Sequence, residues 1–126
     1  CIFSKMDAGA TRGYAFAMGV TVDGELKFLN MAAWVASGYL INDGNWHFVA
    51  VTYDNVNYVF YDNGVVVATV AGAAPLAATG DSSFVGQYNL SNRWTGDIGE
   101  LLIYKNRVKT APEIMNVYLN TRWRYR

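Results

Sequence analysis

WHFVAVTYD at positions 46–54 and NYVFYDNGVVVATV at positions 57–70 decide the fold. In the second stretch, two runs rich in Val, Tyr and Phe flank Asn63 and Gly64. These two residue types accept positive φ at low cost, so a two-residue turn there predicts a hairpin of Asn57–Asp62 with Val65–Ala71. In the first stretch both alternating faces are apolar: Trp46, Phe48, Ala50 and Thr52 on one, His47, Val49, Val51 and Tyr53 on the other. A strand apolar on both faces is expected at the centre of a sheet.

The same alternation of strand and turn continues on both sides. Upstream, Ile2 to Met6 reads as a short strand, Asp7 to Gly13 as a polar loop, and Tyr14 to Val22 as a returning strand. Asp23 and Gly24 supply a second tight turn, which predicts that Glu25 to Asn30 pairs back on the preceding strand. Met31 to Asn42 is less regular, with Ser37 and Gly38 between two apolar runs, and Asp43-Gly44-Asn45 makes a strong turn. Downstream, Gly72 to Ser82 reads as a loop of small residues around Pro75, Ser83 to Gln87 as a strand, and Tyr88 to Arg93 as a polar loop. Trp94 to Lys105 reads as the last long strand, with Gly96 and Gly99 marking a bulge or a close backbone approach. Thr110-Ala111-Pro112-Glu113 has the form of a capping box with proline in the first turn. Ile114, Val117 and Tyr118 then share one helical face, so a short amphipathic helix is expected to about Asn120. The expectation is an all-β, antiparallel sandwich with one short C-terminal helix.

Composition agrees with that class. The 126 residues suit one domain over positions 1–126, and 52% hydrophobic with 15% aromatic content supplies a core. Ten basic and ten acidic residues cancel, so no global field draws in nucleic acid or an anionic membrane. No apolar run approaches the roughly 20 residues that span a bilayer. The single cysteine, Cys1, has no intrachain partner for a disulfide and leaves no thiolate cluster for zinc. An N-terminal Cys also suggests a processed lipoprotein, but Ile2 and Phe3 follow at once where a polar linker is normal. Without an initiator Met, the chain is expected to be processed, trimmed or excised.

Two blocks resemble one family. WHFVAVTYD with NYVFYDNGVVVATV resembles the laminin G-like pattern of a Trp-led strand followed by a hairpin with a short Asp/Asn-Gly turn. FVGQ (84–87) with WTGDIGELLIYKNRVKTAPEIMNVY (94–118) resembles that family's closing strand and helical turn, and IFSKMDAG (2–9) an early strand. The resemblance implies a concanavalin A-like jelly roll, a lectin-like or other binding role, and a secreted or cell-surface setting. Family members carry about three further strands before the segment resembling IFSKMDAG. A sandwich short of strands has open edges, which predicts self-association into a homo-oligomer or pairing with a supplied strand. Gly99 stands where the family commonly has an acidic residue, which weakens an inherited metal site.

The chemistry-bearing residues favour binding over catalysis. His47 is the sole histidine, so no His-based metal triad or histidine pair exists; a structural role beside Trp46 is the expectation. Retaining glycoside hydrolases hold two carboxyls ~5 Å apart, and only Asp97 and Glu100 lie close on a predicted strand, on opposite faces unless Gly99 bulges. No catalytic residue and no enzyme activity is therefore assigned. Calcium needs about six to eight oxygen ligands, and the loop acids Asp7, Asp43, Asp81 and Asp97 are scattered, so calcium is the one candidate ion but no cofactor or metal ligand is assigned. Sugar recognition needs an aromatic platform for the CH face of a pyranose and planar polar groups for its hydroxyls. Tyr88, Asn89, Asn92, Arg93 and Trp94 have that composition, as do Arg12 and Trp34 around Tyr14. Half-buried rim aromatics over the core are the competing reading of the same residues. The tail Arg122-Trp123-Arg124-Tyr125-Arg126 alternates basic and aromatic residues, and a final edge strand is preferred there over nucleic-acid binding. The expected function is a non-catalytic module for carbohydrate or a protein surface, with a self-associating structural domain as the alternative and a glycan-cleaving hydrolase behind both.

Overall fold

The computed structural model describes residues 1–7, 12–19, 22–31, 33–72, 80–88 and 93–125. Among the described residues, eight strands form two antiparallel sheets. β1 (Phe3–Met6), β2 (Gly13–Met18), β3 (Glu25–Asn30), β4 (Ala33–Leu40) and β8 (Ser83–Val85) build a five-stranded sheet in the order β4-β3-β2-β1-β8. β5 (Val49–Tyr53), β6 (Asn57–Asp62) and β7 (Val65–Ala71) build a three-stranded sheet in that order. A single helix, α1 (Ala111–Thr121), follows near the C-terminal end.

Local chemistry explains most of these elements. Asn63 and Gly64 take φ of +49° and +82°, the two positive values that a primed hairpin turn demands, and β6 pairs with β7 around them. A Cβ on Gly64 would sit 2.8 Å from Met115 Sδ, so this glycine also lets α1 dock onto the turn. The Glu113 carboxylate accepts from the backbone N–H of Thr110 at 2.9 Å, anchoring the first turn of α1 as the capping box predicts.

Alternation along β2 and β3 separates two cores on opposite faces of the five-stranded sheet. Facing the smaller sheet, Phe16, Leu26 and Phe28 pack with Ile41, Tyr58 and Phe60, and the Phe28 and Tyr58 rings lie 5.4 Å apart. Burial pushes the Tyr58 phenol up to about 12, and the hydrogen bond with the Tyr53 phenol adds to this, although Asn30 donates to its oxygen at 2.6 Å. On the other face Met6, Ala15 and Leu29 pack with Cys1, Trp34 and Tyr88.

Four elements depart from the sequence reading. Residues 33–40 form a full strand, because β3 offers a complete partner edge and the irregularity is absorbed by a register shift at Glu25/Lys27. β5 is not central: among the described residues it pairs with β6 alone, at one edge of its sheet. Residues 94–105 are not a strand, since no described strand pairs with them and Gly96 sits at φ +126°. The tail makes a 3₁₀ turn at Arg122–Arg124 instead of an edge strand, which carries Tyr125 onto Trp46 at 5.0 Å and onto Gly99.

One polar clamp joins the two sheets. His47 Nδ1 stands 2.8 Å from Asp62 Oδ1 on β6, and its Nε2 stands 2.9 Å from Asp43 Oδ1 in the crossing loop. Tyr39 on β4 donates to the second oxygen of Asp62 at 3.1 Å. Burial alone would lower the His47 pKa, but the hydrogen bonds to Asp62 and Asp43 outweigh it and the net shift is upward. A protonated ring donates to both carboxylates, whereas a neutral ring donates to only one. A raised folded pKa places the stabilisation fully below the unfolded value of about 6.5, and it is lost as pH rises through the folded value. Urea midpoints should therefore fall from pH 6 to pH 8.5 in the native chain and stay level over that window in His47→Gln; parallel profiles would refute the clamp.

Candidate functional site

The outward face of the five-stranded sheet carries small side chains where the inward face carries rings. Ala15 and Ala17 alternate with Tyr14 and Phe16 on β2, and both alanines are buried. Across from Ala17, Lys27 makes a 2.9 Å ion pair with Glu25, and the two side chains are only 7% and 9% exposed. The Glu25 carboxyl is held below its usual range, first by Lys27 and also by the backbone N–H of Gly38, which donates to it at 3.0 Å. Two strand positions i and i+2 on one face thus place a self-neutralised pair in the sheet surface.

Larger side chains stand around this floor. Trp34 on β4 lies opposite Leu29 in register, and its ring meets Tyr88 at 6.1 Å with a 42° tilt. Ser4 on β1 holds the chain just before Tyr88 by donating to the carbonyl of Gln87 at 2.9 Å. Burial raises the Tyr88 phenol pKa, and the nearby Asp7 carboxylate adds to that. The result is a pocket of about 350 Å³ lined by Trp34, Tyr88 and Arg93, with Cys1, Ala17, Met18 and Gly19. That volume falls within the roughly 300 to 1,000 Å³ of small-molecule sites.

This geometry draws on both of the residue groups that the sequence suggested and splits each. Tyr88 and Arg93 of one group meet Trp34 of the other. Trp94 turns instead into the cleft between the sheets, where its Nε1 is buried without a hydrogen-bond partner among the described residues. Arg12 pairs with Asp7 at 3.6 Å and is not part of the pocket lining. Asn89 and Asn92 lie outside the described residues. Ala17, Gly19 and the Lys27–Glu25 pair were not singled out from the sequence; the signal was the run of small and charged residues alternating with aromatics in β2 and β3.

The remaining candidates are engaged in the fold. His47 is held between Asp43 and Asp62, and Glu100 is 3.3 Å from Arg124. In the tail, Arg122 lies over the Tyr118 ring and Trp123 Nε1 donates to the carbonyl of Asn120 at 2.8 Å, so the basic and aromatic residues do not form one stripe. Among the described residues no three His, Cys, Asp or Glu side chains converge as a metal site.

A second concavity separates the sheets. It measures about 1960 Å³ and runs between β5 and residues 98–104, with Phe16, Phe28, Val51 and Leu101 in its walls. Leu102, Ile103 and Tyr104 beside it are exposed by 46%, 57% and 49%.

Comparison with known proteins bears on the fold. The family profile described as the concanavalin A-like lectin/glucanases superfamily, of laminin G type, matches residues 1–115. Among solved structures, the chain is similar to residues 221–444 of an S-layer domain-containing protein from Clostridium thermocellum, with a TM-score of 0.52 and 21% identity. The alignment covers 93% of this chain and 61% of that one, a likeness of fold. No curated protein matches significantly.

Proposed function

The chain belongs to the concanavalin A-like lectin/glucanases superfamily, and from that premise we propose that it is a non-catalytic recognition module whose pocket at Trp34, Tyr88 and Arg93 binds carbohydrate. The observation that carries this reading is the convergence of two tilted aromatic rings and a guanidinium on one pocket of about 350 Å³. The rings offer apolar faces to the CH surface of a pyranose, and the guanidinium offers donors in a fixed plane. The end of β2, at Ala17 and Met18, lines the pocket with these side chains. A segment of a protein surface presenting the same chemistry is the related ligand. Loss of the larger platform should be decisive: Trp34→Ala is expected to weaken binding of a responsive oligosaccharide at least roughly tenfold in calorimetry. Unchanged affinity in a variant that keeps the native circular dichroism would remove the pocket from the account.

Assembly through a sheet edge is a second reading, and β5 favours it. Val49 to Tyr53 pairs on one side alone and carries no charge and no proline, the devices with which natural edge strands repel one another. The apolar cleft beside it would be covered by an added strand. Sedimentation equilibrium should show a dimer or larger species that reverts to monomer in Thr52→Lys. A native chain that stays monomeric at high concentration would discard this reading.

A further inference from the structure

The arginines differ in what holds them. Arg12 lies beside Asp7, Arg107 beside Glu113, Arg124 beside Glu100, and Arg122 over the Tyr118 ring. Arg93 alone of the described arginines has neither an acidic partner nor a ring, and it is the one that lines the pocket. The nearby side-chain charges pair with each other, Lys27 with Glu25 and Arg12 with Asp7, and Arg93 is the charged side chain that lines the pocket. From this we infer that the pocket selects a carboxylate-bearing sugar, a uronic acid, with Arg93 pairing the acid while Trp34 and Tyr88 hold the ring. The step rests on the carbohydrate-binding reading given above.

The chemistry is one of matching planes. A guanidinium presents two parallel N–H donors to a carboxylate, a stronger contact than those it makes to neutral hydroxyls. A uronic acid carries its carboxylate at the rim of the ring, in the ring's own outline, so an aromatic platform and an arginine at its edge are engaged together. Arg93 is exposed at the pocket's edge, so the contact is open to screening by salt.

Two uronate probes test this, trigalacturonate and a hyaluronan tetrasaccharide, each against its methyl ester, which keeps the ring and removes the charge. At least one acid should bind the native chain roughly tenfold or more tightly than its ester, and the gap should narrow with added salt. Arg93→Gln should bring the ratio close to one, with Arg93→Lys between. Equal binding of acid and ester by the native chain would overturn the ligand class while leaving the sugar pocket standing. A preference that survives in Arg93→Gln would overturn the role of Arg93. Binding of neither acid nor ester would overturn this inference, and failure of neutral oligosaccharides as well would overturn the carbohydrate reading beneath it.

Discussion

The packing of Phe28 on β3 against Tyr58 on β6, with ring centroids 5.4 Å apart, is the contact from which the rest of the molecule takes its orientation. In a strand the side-chain period is two, so burying Phe28 and Leu26 against the smaller sheet commits Lys27 and Leu29 to the opposite face. β2 follows in register, sending Phe16 inward and Ala15 and Ala17 outward. Slipping β3 by one residue would drive Lys27 into the aromatic core and turn Phe28 outward, and slipping β2 would turn out Tyr14 and Phe16. The same contact that closes the sandwich therefore sets out the small-residue floor on which the pocket stands.

The two faces of the five-stranded sheet then diverge in role. The inward face is filled where the strands of the smaller sheet reach it and open where they do not, which leaves the cleft beside β5. The outward face is shallow but covered, because Trp34 and Tyr88 lean over it and the Lys27–Glu25 pair is satisfied within the sheet. A buried ion pair of this kind contributes little net stability. The clamp at His47 holds Asp62 of the smaller sheet to the loop that leaves β4, and so keeps the two faces aligned.

What the sequence revealed follows from the range of each interaction. The Asn63-Gly64 turn and the cap at Thr110 and Glu113 are settled within four residues, and both are present where the local chemistry predicts. Two elements depend on a distant partner and were misread. β4 gains its regularity from β3, despite Gly38 at φ +72°, and residues 94–105 have strand composition but no described edge to pair with. The tail was misread for a related reason: Tyr125 finds a surface on Trp46 and Gly99 that no local rule describes. The pocket was legible as composition, since Trp34, Tyr88 and Arg93 were each singled out. It was not legible as a constellation, because Trp34 and Tyr88 are 54 positions apart and β4 and β8 lie on opposite edges of the sheet; it is the chain after β8, held to Ser4 at Gln87, that carries Tyr88 to Trp34.

Two concavities compete as the binding face, the pocket at Trp34 and the cleft beside β5. The direct measurement is an amide and indole NMR titration of the intact chain with trigalacturonate. The pocket predicts shifts at the Trp34 indole N–H and at the Ala17 and Gly19 amides, with β5 unmoved. Shifts gathered on Val49 to Tyr53 and residues 98–104 would contradict it and make the cleft between the sheets the working surface.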